Sequence, residues 1–454
     1  MSVSGRKAPG AAMRALEACL AAEGRWNGHV NAVVTSMAQI ARLEAAAADR
    51  AASEGRWLGL LHGMTIAIKD NIDTAGVETT AGSLHFKGRV PTRDAPVIER
   101  LRRAGAVVVS KVTMHELAFG IRSFNPVIGQ ARNPYDLARV PGGSSGGSGI
   151  AVATGMAAGA LGTDTGGSVR IPAAMTGISG LRPTHGRVPN TGSFPVSAQH
   201  DTIGPMAASV ADCARIFAVI AGFDAEDPVS VEEPLPNFLP SLGDGIRGVR
   251  IGIPTNHYLE GVAADIYRAY EAALQVFERL GAELVHLPVE GAETAHAHAT
   301  VMIYSDACAL HAERMAEAEK WGQMTLERLR TGLQFTGTDY ARAMRARESW
   351  RRTLRRIFGA IDILASPTAL ADPPLIDDGQ SLLKTTTAYT QTTYAGAFGG
   401  LPGLSIPCGV SSRGLPIGLQ LEAAPWQEPL LLRVGHAFQA VTDWHRRRPE
   451  PPRA

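Results

Sequence analysis

The chain has 454 residues, 45% hydrophobic and 19% charged, enough apolar material for a large core and too little charge for wholesale disorder. Lys+Arg total 44 and Asp+Glu 43, and the resulting net charge of +1 argues against a strongly basic nucleic-acid binder or an acidic tail protein. Cys19, Cys213, Cys308 and Cys408 lack CxxC or zinc-type spacing and read as reduced, buried residues, and no apolar run is long enough to span a bilayer.

The N-terminal residues form no continuous apolar leader, which suits a cytoplasmic protein. Residues 9–55 are Ala- and Glu-rich with helical spacing and predict two or three helices. MTIAIK (64–69) reads as a short strand. DAPVIERLRRAG (94–105) reads as an amphipathic helix with an acidic start and a glycine stop, and AVVVSKV (106–112) as a buried strand. Residues 141–180 are dominated by Gly, Ser and small apolar residues. They are too apolar for a flexible linker and suggest backbone packed tightly around a site. A Ser-capped helix follows over 209–222, then a strand at 249–254, a helix at about 262–281 and a strand at 283–288. Residues 296–358 are mostly helical, with breaks near Gly322, Gly332 and Gly337. Short strands at 361–367, 404–407 and 417–421 precede a helix over 428–445. This alternation predicts an α/β fold with a large mixed sheet covered by helices on both faces.

Three segments carry chemistry. Only six lysines occur, so the chain uses arginine for ordinary surface charge, and Lys69 inside an apolar run stands out. A buried lysine loses its charge readily and becomes a proton acceptor, a role arginine cannot take. A strand-end lysine reaching solvent beside Asp70 is the plainer reading. GGSSGG (142–147) by itself reads as a turn or linker. GTDTGGSVR (162–170) places two glycines before Ser168, so backbone N–H groups can converge on a developing oxyanion, or on a phosphate. It lacks the lysine of a P-loop.

Together with DAPVIERLRRAGAVVVSKVTMHELAFG, RNPYDLARVPGGSSGGSGIAVATG and GLRPTHGRVP, these segments resemble the amidase signature family of serine hydrolases, closely from about 63 to 222 and weakly to the C-terminus. The family's two serines lie 24 residues apart, as do Ser144 and Ser168. The resemblance implies a single domain over 59–446 with its signature core at about 63–222, an N-terminal helical segment (1–58) packed on it, and a disordered tail at 447–454. It implies Ser168 as nucleophile, Ser144 as bridging serine after a cis peptide, and Lys69 as general base. The backbone N–H groups of Thr165, Gly166, Gly167 and Ser168 are the implied oxyanion hole. Gly143, Ser145, Asp164 and Arg170 support the site, Asp201 anchors a loop, and His115 and Glu116 are structural.

The implied reaction is hydrolysis of a small amide, aryl or apolar in its acyl part, through an acyl-enzyme and with no cofactor or metal. The thirteen histidines show no HExxH or paired metal spacing. The alternatives are a ureide or biuret-type hydrolase, or the glutaminase-type catalytic subunit of a tRNA-dependent amidotransferase. Pocket walls are expected from 120–130, 192–200, 300–345 and 385–398, with Phe124, Phe194, His200, Tyr304 and Phe335 as lining residues. Arg122 is expected at the surface, or paired with a substrate carboxylate. The expected partner is the small-molecule substrate, without nucleic acid or membrane. A homodimer follows only from the general frequency of symmetric dimers.

Overall fold

In the computed structural model, which describes residues 10–452, β1 (Val33–Ser36) separates α1 (Ala11–Val30) from α2 (Ala38–Ser53). The sequence reading puts only helices here; four residues suffice to pair antiparallel with the edge of the sheet. β2 (Thr65–Lys69), α3 (Pro96–Arg103) and β3 (Val107–Val112) match their expected positions. Pro96 sits in the first turn of α3, where a missing N–H costs nothing. After that helix Gly105 takes φ +84, and a Cβ there would lie 2.8 Å from Leu58 Cβ.

A hairpin, β4 (Phe124–Asn125) and β5 (Gly129–Gln130), leads into the small-residue region. That region resolves into α4 (Gly146–Ala153), β6 (Gly159–Thr163), α5 (Arg170–Thr176) and β7 (Ser179–Arg182). Glycine is required by close approach there: a Cβ on Gly147 would meet the Thr113 carbonyl oxygen at 2.4 Å. β8 (Ile203–Ala207) is followed by α6 (Val210–Ile220), whose Ser209 cap accepts from Asp212 N–H.

Then come β9 (Arg250–Pro254), α7 (Ala264–Arg279) and β10 (Glu283–Leu287), followed by α8 (Ala292–His311), α9 (Gln323–Thr331) and α10 (Gly337–Ala360). A reciprocal Thr336/Asp339 capping box starts α10. The chain continues with β11 (Ile363–Pro367), α11 (Leu382–Tyr389), α12 (Tyr394–Gly399), β12 (Gly403–Val410), β13 (Pro416–Ala423) and α13 (Glu428–Ala440).

Eleven strands form one mixed sheet in the order β1-β3-β2-β6-β8-β7-β12-β13-β11-β9-β10. Side-chain alternation sorts the central strands between two cores. Ile66 and Ile68 join the apolar layer under α3, α6, α7 and α13, and Ala67 joins the layer under α1, α2 and α4. Lys69 follows Ala67 on that second face at the strand's end. A third core gathers α8, α10 and α12. All four cysteines are buried and unbridged. Among the described residues no helix is long and apolar enough to cross a membrane.

Candidate active site

Lys69 lies at the C-terminal end of β2 and is fully buried. Its Nζ is 2.7 Å from Ser144 Oγ and 2.7 Å from Thr163 Oγ1, with the Thr163 carbonyl at 3.5 Å. Burial brings the amine down to about 7, against the opposing pull of Asp164 and Asp201. Ser144 follows a cis Gly143–Ser144 peptide at the entrance to α4 and is also fully buried. The plainer expectation, a lysine reaching solvent beside Asp70, does not hold. Asp70 lies instead 3.7 Å from Lys111 and accepts from Thr80.

Ser168 sits on the loop between β6 and α5, half-buried, and lines a narrow cavity. Its hydroxyl has no hydrogen-bond partner among the described residues, whereas its carbonyl accepts from Ser145 N–H at 3.2 Å. Ser145 Oγ bonds the Thr163 backbone at both N–H and carbonyl, each at 3.2 Å, and so ties the start of α4 to the end of β6.

Asp164 shapes the loop. It accepts from Gly167 N–H (2.7 Å), Val169 N–H (3.2 Å), Arg170 Nε and Nη2 (3.1 Å each) and Arg182 Nη1 (3.0 Å). Burial alone would raise its carboxyl, but the Arg170 and Arg182 guanidiniums hold it well below the usual range. Arg170 also reaches Gln420 at 2.9 Å and Glu422 at 3.4 Å. Asp164 and Arg170 thus belong to a buried ionic network, whose other members are Arg182, at the end of β7, and Gln420 and Glu422 on the distant strand β13.

One of the four N–H groups expected to form an oxyanion hole is engaged elsewhere. Gly167 N–H is already committed to Asp164, so it is not a free oxyanion donor. The N–H groups of Thr165, Gly166 and Ser168 have no partner among the described residues. Gly167 instead supplies φ +129 to the turn. Asp201 accepts from Thr165 Oγ1 (2.5 Å) and from Val196 and Ser197 N–H, and burial pushes it up to about 6.

The cavity at Ser168 is lined by Phe119, Ile121, Val196, Ile303, Arg328 and Tyr394, with Thr386 and Thr390. All four expected wall segments contribute, through Ile121, Val196, Ile303 with Arg328, and Thr386 with Thr390 and Tyr394, but the individually expected residues lie elsewhere. Phe124 is in the β4–β5 hairpin, and Phe194 lines an adjoining cleft that shares Thr165 and Val196 with the cavity. His200 is buried, with Nδ1 on Ser197 Oγ and its ring stacked on Phe398. Phe335 packs, partly buried, against the core of α8, α10 and α12. Tyr304 takes a hydrogen bond from Arg328 Nε at 2.7 Å, so it orients the cavity's arginine. Arg122 is neither at the surface nor at the substrate cavity: it is 3% exposed, bridged to Asp378 at 2.5 Å and bonded to Thr385.

Sequence reasoning does not single out Arg328, on α9. Its guanidinium donates from Nη2 to Tyr394 at 3.3 Å and lies over the Phe119 ring at 4.0 Å. Nη1 has no partner among the described residues, and Thr386 Oγ1 in the same wall is also unpartnered. In an arginine-rich helical stretch, nothing local separates this arginine from its exposed neighbours. His115 and Glu116 are structural: Glu116, pushed up to about 7 by burial, accepts from Ser83 and Gly322.

A family model described as Amidase matches residues 14–432. The A subunit of the glutamyl-tRNA(Gln) amidotransferase of Chloroflexus aggregans is 39% identical, over 98% of this chain and 96% of that one. A solved structure from a vestigial protein complex, described as revealing the origins of an s-triazine catabolic enzyme, superposes with TM-score 0.89 at 33% identity, covering 94% of this chain and 95% of the other. The solved structure of the same amidotransferase subunit from Thermotoga maritima gives TM-score 0.84 at 27% identity, over 100% of this chain and 98% of its own.

Proposed function

The chain belongs to the amidase family, and from that premise we propose that it hydrolyses a small primary amide bearing a carboxylate, of the glutamine type, through an acyl-enzyme on Ser168. The observation that carries this reading is the fully buried Lys69 amine held 2.7 Å from Ser144, beneath the loop that presents Ser168 to the cavity. Lys69 in its neutral form, which burial makes accessible near pH 7, takes the Ser144 proton as Ser144 takes that of Ser168. The Ser168–Ser144 hydrogen bond forms with substrate in place, as catalytic contacts commonly tighten on binding. Ser168 Oγ attacks the amide carbon, and the N–H groups of Thr165, Gly166 and Ser168 take the oxyanion. The relay returns the proton to nitrogen, the C–N bond breaks, and ammonia leaves. Water then attacks the acyl carbon, gives a proton to the same relay, and releases the acid as Ser168 regains its own.

Arg328 turns the substrate reading away from an aryl or apolar amide. A guanidinium in the cavity wall, with one nitrogen unpartnered, favours a carboxylate. The name of the Chloroflexus relative favours glutamine, and its designation as one subunit of an amidotransferase favours an assembly with a partner protein. The test measures ammonia release from glutamine, other carboxylate-bearing primary amides, neutral amides, aryl amides and ureides. Wild type, Ser168→Ala and Arg328→Met are compared. Carboxylate-bearing primary amides are expected to turn over, Ser168→Ala to be inactive, and Arg328→Met to lose about 10–100-fold on these substrates only, for a charged hydrogen bond of about 1.5–3 kcal/mol. Preferred turnover of neutral aryl amides, with Arg328→Met unaffected, would overturn the substrate class.

A further inference from the structure

Beyond the three side chains of the relay, a fourth contacts the base. Lys69 Nζ has three neighbours: Ser144 Oγ at 2.7 Å, Thr163 Oγ1 at 2.7 Å and the Thr163 carbonyl oxygen at 3.5 Å. A neutral amine carries two hydrogens and one lone pair, so which neighbour faces the lone pair decides whether it can act as a base toward Ser144. The carbonyl only accepts, so it takes a hydrogen. Thr163 Oγ1 could donate or accept; Lys69 Nζ donates to it, and the Asn71 amide is a second donor to the same oxygen. Asn71 Nδ2 is 3.4 Å from the Phe194 carbonyl, an acceptor, which fixes the amide with nitrogen on this side. The same nitrogen donates to Thr163 Oγ1 at 3.2 Å. With one oxygen lone pair taken by Asn71, the other takes the second Lys69 hydrogen. The hydroxyl's own proton then turns toward the adjoining cleft, which Thr163 lines together with Thr165 and Asp201.

We propose that Thr163 is a positioning residue for the base: hydroxyl and carbonyl take both hydrogens of the neutral Lys69 amine, leaving its lone pair aimed at Ser144. This rests on the reading of Ser168 as nucleophile and Lys69 as base. Thr163 does not line the Ser168 cavity, so its effect runs through Lys69 and not through substrate contact. Buried at the end of β6, it is held by Ser145 on both backbone groups, so its hydroxyl is as fixed as the base it serves.

The test follows phosphonylation of the nucleophile by a fluorophosphonate, read by intact mass, as a second-order rate against pH. Thr163→Val keeps the side chain's shape and removes the acceptor; Thr163→Ser restores it. The valine variant is expected to lose about 10–100-fold, in line with the penalty for misplacing a reacting group by about 1 Å. Its acid limb is also expected to move to lower pH, because an acceptor for the ammonium form has gone. The serine variant is expected to keep the wild-type limb and a rate within about threefold of wild type. A valine variant with wild-type rate and limb overturns the proposal. So does a loss with an unmoved limb, or one that serine does not rescue, since either marks a merely structural role. Should the valine chain not fold, Thr163→Ala against Thr163→Ser makes the same contrast. Ser168→Ala separates the two levels: labelling that persists there sinks the nucleophile reading itself, whereas its absence alongside a normal valine variant sinks only the role of Thr163.

Discussion

A neutralised buried lysine is costly to fold, so replacing Lys69 with methionine is expected to stabilise the protein while abolishing catalysis. Lys69 is fully buried and titrates at about 7, against an ordinary value of 10.5. At about 1.36 kcal/mol per pH unit, that gap opposes folding by about 5 kcal/mol below pH 7. Methionine has a similar length and no charge, but it forfeits the hydrogen bonds to Ser144 and Thr163, each of about 1 kcal/mol, and strands their hydroxyls. The net gain expected at pH 6 is about 2 kcal/mol. Because the folded value lies below the unfolded one, the unfolded chain binds more protons between pH 7 and 10.5, and wild-type stability rises with pH across that window. The advantage of Lys69→Met is therefore largest below pH 7, shrinks through pH 8 and 9, and reverses above 10.5 as only the lost hydrogen bonds remain. Urea unfolding of both proteins at pH 6, 8 and 10 reads this directly, since titrating groups not coupled to Lys69 cancel in the difference. A wild type as stable as the variant at pH 6, or a difference independent of pH, refutes the reasoning.

Asp164→Asn is expected to destabilise by about 3–5 kcal/mol in urea unfolding, because it leaves two buried arginines short of their shared counter-charge. With its carboxyl held low by Arg170 and Arg182, Asp164 contributes its full stability above the ordinary carboxylate range and loses it only as pH falls well below that range. The cost should therefore be the same at pH 5 and pH 8, and a cost that vanishes at pH 5 counts against the assignment. Gly166→Ala puts a Cβ 2.2 Å from the Tyr394 ring. It is expected to lower stability by about 1–3 kcal/mol in the same urea unfolding and to displace the loop N–H groups, so turnover falls more than about tenfold with secondary structure intact by circular dichroism. Wild-type turnover in this variant would show that the loop does not need its present path.

The strands around the site are legible because their signals are local. TIAIK alternates between two cores, AVVVSKV is buried throughout, and most glycines of 141–180 mark backbone approaches that no side chain could share. Lys69, Ser144 and Ser168 stand out in the same way, as a rare lysine in an apolar strand and two serines in glycine-rich loops. β1 is not legible, because four residues between two helices carry too short a pattern to separate from helix. What remains depends on contacts between distant segments. Arg328 is one arginine in a helix of ordinary charge until α8 and α12 bring Tyr304 and Tyr394 against it in the cavity wall. Arg122 reads as a surface residue until residues 375–385 close over it with Asp378 and backbone carbonyls. Gly167 reads as an oxyanion donor until Asp164 claims its N–H. The chain's own order of residues thus determined the fold class and which groups could do the chemistry, because periodicity, rare residue types and glycine punctuation are properties of short segments. Only the tertiary structure decided which N–H groups remain free, which groups the Lys69 amine contacts and which arginine lines the cavity, because each depends on partners brought together from far apart in the chain.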